Sequence, residues 1–523
     1  MSPMSALPCP VERLFEQADE AYEKIKHSLL SEGPQMSLSD LEGKLMSEGF
    51  EVMRRLLQER VNLFHPGEST EPVRDAEGEL RTSSSVEHTR SLETIFGTIE
   101  LTRAGYPSVG KESLHPLDAT LNLPPEKYSL QVRRVAALEA AKGSFEEGVE
   151  AIATYTGARI AKRQFEELAT RAAVDFEAFY ADRQKSASRD ADTGSILVLT
   201  MDGKGVSMLP EDLREATRKA AAEKSETFTA RLGQGRRMNA KRMASVAAIY
   251  SVNPFVRTPE QILPENKPQE VAVRPRPEHK RVWASLADSP EQVIAAMFEE
   301  ALHRDPNREK QWVALVDGNK TQIAHLEKLN KTHDLSMPIV VDFIHVAEYV
   351  WEAAKALLPD DKPQQDRWVR KHMLELLRGK TSSVAAGIRR SATFGKLPDA
   401  QRKPVDACAD YLLNYKPYLQ YEEALKRGAP IATGVIEGAC GYLVESRMNR
   451  SGARWSLTGA EAVLRLRALR TSGDFDAYWK FHESQEYQRN HAANYADHCV
   501  PDLVPPRVFS PKSKPRGGLK IVK

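Results

Sequence analysis

The sequence predicts an α/β protein with a mostly α-helical N-terminal region and a helical insertion in its α/β part. Three observations support this fold class. Short apolar runs alternate with amphipathic helices between about 190 and 345, which is typical of a sheet with at least partly parallel strands. Apolar residues recur at helical spacing from about 11 to 64. The third observation is an almost continuous helical pattern from about 345 to 427.

The composition is that of a multidomain globular protein. The chain has 523 residues, 41% of them hydrophobic and 28% charged, which is enough for several domains and a sizeable core. Its apolar runs are far shorter than the roughly 18 uncharged residues of a membrane span, and its first residues lack the pattern of a secretory signal. The four cysteines form no C-x-x-C pair, as expected in a reducing compartment. We therefore expect a cytoplasmic protein without a membrane partner.

The N-terminal part is predicted to contain helices and a β-hairpin. The segments VERLFEQADEAYEKIKHSLL and LSDLEGKLMSEGFEVMRRLLQERVNLF have apolar residues at helical spacing, and a polar connector follows them. Residues 92–106 alternate apolar and polar side chains around Gly97. This alternation indicates a short hairpin.

A helix-turn-helix is predicted between the hairpin and the α/β part. One helix extends from Phe145 to about Tyr155, the chain breaks at Gly157, and a second helix carries the basic residues Arg159, Lys162 and Arg163. A motif of this kind can read DNA, and a plain helical hairpin is the alternative.

The central part of the chain is predicted to form the sheet. Strands are expected at 196–201, 244–252, 312–317 and 337–342, and a Pro-rich extended loop at about 259–278. Helices are expected between the later strands, which is the pattern of an α/β unit.

Two of these strands are followed by Asp-Gly. The run ILVL leads to Asp202-Gly203, and the run VALV leads to Asp317-Gly318. Acids at the carboxyl ends of strands can converge on one point, where carboxylates repel each other unless a cation lies between them. Their oxygens favour Mg²⁺ or Mn²⁺, and two such ions can stabilise the attacking and leaving oxygens of a phosphodiester. A simple turn after each strand is the alternative.

A third acid is expected for such a site. The candidates are Asp342, at the end of MPIVVD, and Glu437 in TGVIEGACGYLVESRMNRSGARWS. Glu437 is predicted to begin an amphipathic helix that leads to arginines beside Trp455, namely Arg447, Arg450 and Arg454. A carboxylate followed by arginines on one helix would place a cation site beside a bound phosphate backbone. An ordinary charged surface helix is the alternative.

Taken together, these residues resemble the DDE transposases of bacterial insertion sequences. The resemblance is to the ISKra group, which is related to the Mutator-like transposases, and it extends over about residues 35–475. It depends on the order of Asp202-Gly203, Asp317-Gly318, the DFIH motif at 342–345 and the segment around Glu437. The segments DGKGVSMLPEDLREATRKAA, HTRSLETIFGTIELTRAGY and LHPLDATLNLPPEKYS are also similar to that group.

The resemblance implies a ribonuclease H-like catalytic core with a mixed sheet and flanking helices. In such a core, Asp202, Asp317 and Glu437 would be catalytic and would ligate two Mg²⁺ or Mn²⁺ ions. Asp342 and His345 would be auxiliary residues that shape the active site or hold DNA. The resemblance also implies a helical insertion between the second and third acids, which is where the long helical pattern lies.

The function implied by the resemblance is DNA transposition. The protein would bind the terminal inverted repeats of a mobile element, hydrolyse phosphodiester bonds to expose 3′ hydroxyls, and join these to target DNA. Because two ends are joined together, a homodimer or larger homo-oligomer is expected, associated with the bacterial nucleoid. Two alternatives are a ribonuclease H-like nuclease without strand transfer and a catalytically inactive DNA-binding regulator.

DNA contacts are expected from local basic clusters, since the formal net charge of the chain is only +1. Solvated surface is the alternative for each cluster. The predicted DNA-binding residues are Arg159, Lys162, Arg163, Arg236, Arg237, Arg447, Arg450 and Arg454. ATP is not an expected ligand, because the GKTS run at 379–382 has Leu374 where a P-loop requires glycine.

The predicted domain organisation follows the chain in six parts. These are a helical N-terminal region at 1–90, a hairpin and helix-turn-helix region at 91–185, the first part of the core at 190–345, the helical insertion at 346–428, the final core helix with the third acid at 429–475, and a basic C-terminal tail at 476–523.

Overall fold

The chain forms two compact units. The computed structural model describes residues 15–64, 66–81, 86–185, 193–225, 240–265, 273–359 and 361–505. The first unit consists of Met1–Asp175 and Ala477–Lys523, and the second of Phe176–Asp476. Among the described helices, none combines the length and the apolar character that crossing a lipid bilayer requires.

A three-stranded antiparallel sheet lies in the first unit. Its strands, in sheet order, are β1 (Val86–Thr94), β2 (Gly97–Ser108) and β3 (Lys111–Leu114). The predicted hairpin is confirmed: β1 pairs with β2, and Gly97 follows the turn with a φ of 116°, a backbone conformation that favours glycine. The third strand was not predicted.

Apart from the short helix at 116–120, the helices of the first unit agree with the predicted helical regions. They are α1 (Glu16–Ser31), α2 (Leu38–Asn62), α3 (Pro116–Thr120), α4 (Leu130–Lys142), α5 (Phe145–Tyr155) and α6 (Lys162–Arg171). Ser144 begins α5 with a reciprocal capping box to Glu147, which fixes where this helix starts. The two predicted helices on either side of Gly157 are therefore confirmed as elements. The second begins at Lys162, so the prediction that it carries Arg159 is wrong.

The start of the predicted C-terminal tail at 476 is wrong. A further helix, α20, covers Phe475–Asn490. The side chains of Tyr478, Trp479 and His482 are buried, and burial of such large aromatic groups stabilises a packed helix rather than a solvated tail. The basic segment at the end of the chain, from 506 to 523, lies outside the described residues.

A five-stranded mixed sheet forms the centre of the second unit. Its strands are β4 (Ile196–Ser207), β5 (Lys241–Val252), β6 (Glu278–Ser285), β7 (Gln311–Val316) and β8 (Ile339–Val341), in the order β6-β5-β4-β7-β8. Strand β5 is antiparallel to β4 and β6, whereas β7 is parallel to both β4 and β8. The predicted mixed sheet with flanking helices is confirmed. Strand β6 was not predicted.

The second unit also contains the helices around this sheet and a run of consecutive helices that ends before residue 430. They are α7 (Phe176–Arg183), α8 (Glu215–Ser225), α9 (Pro259–Ile262), α10 (Pro290–Arg304), α11 (Lys320–Thr332), α12 (Phe343–Leu357), α13 (Lys362–Leu377), α14 (Thr381–Phe394), α15 (Asp399–Asn414), α16 (Tyr421–Lys426), α17 (Gly434–Ala439), α18 (Ser446–Met448) and α19 (Leu457–Ser472). Helices α12 to α16 confirm the predicted helical run. All residues from 196 to 201 and from 244 to 252 are buried, because helices cover both faces of the central strands.

Candidate active site

Three aspartates form a row across neighbouring parallel strands. The parallel register of β4 with β7 places Asp202 level with Asp317, and the register of β7 with β8 places Asp317 level with Asp342. Adjacent strands lie about 4.8 Å apart. The sheet alone therefore brings three carboxylates from distant parts of the sequence to one edge.

The sequence predicted Asp202 at the end of its strand, and this prediction is wrong. Strand β4 continues through Gly203 to Ser207, paired with β5, and only the parallel pairing with β7 stops just before Asp202. Asp317 does follow the last residue of β7, and Gly318 turns the chain there with a φ of 97°. Asp202-Gly203 therefore lies within a strand, whereas Asp317-Gly318 lies in the turn after a strand.

Glu437 approaches this row from α17. A cavity of about 170 Å³ lies between the strand ends and this helix. Its walls include all five of the predicted catalytic and auxiliary residues: Asp202, Asp317, Asp342, His345 and Glu437. The structure therefore brings together the acids that the sequence had proposed for one site.

The helix that carries Glu437 is shorter and less regular than predicted. After α17 the backbone continues as a six-residue π-helical segment, Cys440–Glu445, and the helix ends at Met448. The prediction of one amphipathic helix as far as Arg454 is therefore wrong. The chain returns to the sheet at Trp455, whose backbone N–H donates to the carbonyl oxygen of Ser207 at 3.0 Å. This contact fixes the π-helical segment against the end of β4.

Backbone N–H groups hold one oxygen of two of the acids. Asp202 Oδ1 accepts a hydrogen bond from the Gly203 N–H at 2.6 Å, and Asp317 Oδ1 accepts one from the Asn319 N–H at 2.9 Å. Such bonds fix the orientation of a carboxylate and leave its second oxygen for another partner.

Asp342 has both of its oxygens occupied. It is 2% exposed, accepts from the Ile344 N–H at the start of α12, and accepts from the Thr433 hydroxyl at 2.6 Å. The same hydroxyl oxygen lies 3.2 Å from Glu437 Oε1. Asp342 thus positions α12 and Thr433, and Thr433 contacts the third acid.

A buried thiol links the third-acid helix to the first acid. Cys440 Sγ lies 3.4 Å from Asp202 Oδ2. Burial and the nearby Asp202 carboxylate raise the pKa of Cys440, so the thiol is protonated and donates to Asp202. Thr433 and Cys440 were not singled out from the sequence, although their spacing of four residues before and three after Glu437 would have placed them on one helix face.

Asp202, Asp317, Asp342 and Glu437 have no close charged partner of opposite sign in the described part of the chain. Among the described residues, no Lys, Arg or His nitrogen lies within 4.0 Å of the carboxylate oxygens of Asp202, Asp317, Asp342 or Glu437. Closely spaced carboxylates repel each other, and a divalent cation is the usual means of holding them together. The donor set, which is made of hard oxygen atoms, fits Mg²⁺ or Mn²⁺.

The acids around this cavity do not form a compact site for a single ion. Their ligand atoms do not all lie within 4.8 Å of one another, and among the described residues only a different group has that spacing. Two ions about 3.5 to 4 Å apart would allow their ligand atoms to lie farther apart than the ligands of one ion.

The group that does meet that spacing is Asp175, His482 and Glu486 in the first unit. Arginines already neutralise its carboxylates: Arg133 donates to Glu486 at 2.5 Å, and Arg489 donates to Asp175 at 3.0 Å. Although burial opposes ionisation, hydrogen bonds from His482 and Arg489 lower the pKa of Asp175 to about 2. Balanced charges of this kind are those of a buried ion network rather than of a metal site.

The predicted DNA-binding residues have different surroundings. Arg447 is 4% exposed and its guanidinium stacks over the Trp455 ring, so it supports the fold behind Glu437 instead of facing solvent. Lys162 and Arg163 are exposed but form ion pairs with Glu146 and Glu167. The remaining described members, Arg159, Arg450 and Arg454, are exposed. Arg236 and Arg237 lie outside the described residues.

Comparisons with known proteins do not assign the chain to a family. Neither models of protein families nor the sequences of curated proteins match it. The residues and contacts around the acidic cavity therefore carry the functional interpretation.

Gly318→Ala is expected to disturb the site directly. A Cβ at this position would lie 2.7 Å from the Tyr411 hydroxyl, and the positive φ is itself unfavourable for alanine. Because Asp317 precedes this residue, we expect a loss of about 1 to 3 kcal/mol in stability. We also expect a loss of about tenfold or more in the metal-dependent DNA cleavage that we propose for this site. Gly387→Ala, in the interior of α14 with open space around its Cβ, is the matched control. Equal activity of the two variants would contradict the placement of Gly318 at the site.

Proposed function

We propose that the protein is a DNA transposase with a ribonuclease H-like core and a DDE site. It would bind the terminal inverted repeats of a mobile element, cleave DNA in a metal-dependent reaction, and transfer the freed strand to target DNA. The observation that carries the proposal is the common cavity of Asp202, Asp317 and Glu437 at the edge of a mixed sheet. Among the described residues, no Lys, Arg or His nitrogen lies within 4.0 Å of their carboxylate oxygens.

The sheet supports the ribonuclease H-like assignment. Three antiparallel strands, β4 to β6, are extended by two strands parallel to β4, and the helical segment α12 to α16 separates the second acid from the third. This arrangement agrees with a core that is interrupted by a helical insertion, as the resemblance in sequence implies.

Asp202, Asp317 and Glu437 would hold two divalent metal ions. When bound, the ions would stabilise the attacking and leaving oxygens of the phosphodiester. The protein itself orients the acids: backbone N–H groups fix Asp202 and Asp317, while Thr433 and Cys440 connect Glu437 and its helix to the aspartate row. Preorganisation of this kind reduces the reorganisation needed in the transition state.

DNA would be held by exposed arginines near the end of the Glu437 segment and by the first unit. Arg450 and Arg454 follow α18 and are exposed, and arginine is well suited to bidentate phosphate contacts. In the first unit, α5 and α6 with the exposed Arg159 are the candidates for reading the ends of the mobile element. Synapsis of two ends would require a homo-oligomer.

Cleavage of intact DNA ends, together with strand transfer from pre-cut ends, tests the proposal against its alternatives. The substrate is the DNA that flanks the reading frame, in which we expect inverted repeats, incubated with supercoiled target DNA and Mg²⁺ or Mn²⁺. We expect end-specific cleavage and joining. Cleavage without joining would favour the nuclease, and sequence-specific binding without either reaction would favour the inactive regulator.

A further inference from the structure

A second cavity adjoins the acidic cavity and shares two of its walls. It has a volume of about 440 Å³ and includes Asp317 and His345. Its other walls come from the start of α11 and from helices α12 and α15, with Lys320, Tyr349, Tyr411 and Tyr415 among them. A molecule in this cavity would therefore be directly beside a group held by Asp317.

Stacked tyrosine rings form one side of this second cavity. The rings of Tyr349 and Tyr411 are parallel to within 16° at a centroid distance of 3.9 Å, and Tyr415 lies 4.5 Å from Tyr411. The Tyr415 hydroxyl donates to the carbonyl oxygen of Gly318 at 2.6 Å, which fixes the cluster to the turn after Asp317. Planar rings held in this way offer a stacking surface for another planar group.

A lysine side chain also lines this cavity. Lys320 is exposed, and no described carboxylate lies within 4.0 Å of its ammonium group. Asp410, the other acid in the walls, is paired with Arg389. The cavity thus combines an aromatic surface with an exposed positive charge.

We propose that this cavity binds one nucleotide beside the scissile phosphate, with its base outside the DNA stack. The base would stack on the Tyr349 and Tyr411 cluster, and Lys320 would contact a phosphate of the same nucleotide. The inference depends on the proposed function, because it is the acidic cavity that defines the scissile phosphate. Taking a base out of the stack would let the backbone enter the cavity that Asp317 and Glu437 line.

Simple packing between helices does not account for the cavity. Tyr418 shows the contrast: it belongs to the same group of rings, 6.5 Å from Tyr415, but it lies outside the cavity walls and its hydroxyl is satisfied by Glu327 at 2.6 Å. Tyr349 and Tyr411 instead border open space beside the acids.

Cleavage of intact and abasic DNA tests the proposal. We expect Tyr349→Leu and Tyr411→Leu to lower the cleavage rate of an intact duplex by about tenfold or more, because a stacking partner of the base is lost. Tyr349→Phe keeps the ring and should retain most of the activity. Tyr418→Leu, with an equal loss of aromatic surface outside the cavity, is the matched control and should cleave at the rate of the unaltered protein.

An abasic nucleotide next to the cleavage position separates stacking from a purely structural role. Without a base to unstack, the difference between Tyr349→Leu and the unaltered protein should shrink severalfold. If the difference in cleavage rate between Tyr349→Leu and the unaltered protein stays the same at every flanking abasic position, the proposal is overturned. If the unaltered protein cleaves and the leucine variants cleave equally well, the nucleotide subsite is wrong while the proposed function stands.

A binding measurement without cleavage decides the matter if the unaltered protein does not cut DNA. In EDTA, a single-stranded hexanucleotide should bind at least fivefold more tightly than the same strand with abasic sites. This preference should be lost in a Tyr349→Leu, Tyr411→Leu double variant and kept in Tyr418→Leu. Equal affinity of the unaltered protein for both strands would overturn the subsite, whatever the outcome for cleavage.

Discussion

Asp317→Asn is expected to abolish DNA cleavage and strand transfer while binding to the DNA ends is retained. Asparagine keeps the shape of the side chain, and its amide oxygen can still accept from the Asn319 N–H. It removes the negative charge that a divalent ion requires, so we expect a loss of about a thousandfold or more. Asp202→Asn should have the same effect. Cleavage assays with Mg²⁺ and electrophoretic binding assays measure the two properties separately.

The control for these variants is Asp334→Asn. Asp334 is exposed in the turn after α11, where its positive φ of 48° is also tolerated by asparagine. It should cleave at the rate of the unaltered protein. Full activity of either Asp317→Asn or Asp202→Asn would remove that residue from the site, and with it the proposed mechanism.

Arg133→Met should destabilise the first unit by about 3 to 5 kcal/mol. Arg133 is 1% exposed, donates to both Glu486 and Glu126, and lies 3.3 Å from His482 Nε2. Methionine fills part of the volume but leaves carboxylates buried without their countercharge, which is the costly way to break a buried ion network.

Urea denaturation combined with amide hydrogen exchange in α4 measures this loss. Arg163→Met is the control, because the Arg163 side chain is 90% exposed and its ion pair with Glu167 contributes at most about 0.5 kcal/mol. A loss below about 1 kcal/mol in Arg133→Met would mean that the network does not hold the unit together. A stoichiometric metal ion in the purified, unaltered protein that is lost in His482→Ala would instead favour a metal site at Asp175, His482 and Glu486.

The sequence predicted those parts of the fold whose pattern is local. Alternation around Gly97 indicated the hairpin, and the helical pattern from Phe145 to about Tyr155 indicated α5. The apolar runs before Asp202 and Asp317 indicated β4 and β7, because strands buried on both faces are continuously apolar. The clustering of the acids could be expected because they follow apolar strand patterns. The strand register that places the three aspartates side by side could not be predicted, because it depends on pairing between distant segments.

Tertiary contacts decide the features that the sequence did not indicate. Strand β6 begins with Glu278, His279 and Lys280 after a Pro-rich segment, so its pattern resembles a loop, and pairing with β5 makes it a strand. The π-helical segment after Glu437 has no compositional signal. The burial of Arg447 depends on Trp455, which reaches it only because the chain returns to β4.

The chain order of the acids has a consequence for synthesis on the ribosome. All five strands of the sheet and the first two acids precede the helical segment α12 to α16, whereas Glu437 follows it. A nascent chain that has emerged only as far as Gly434 holds two of the three carboxylates, along with the complete set of strands. If the proposed function holds, cutting arises only once translation has passed this point, and a chain that stops earlier carries the α5 and α6 pair without a working nuclease centre.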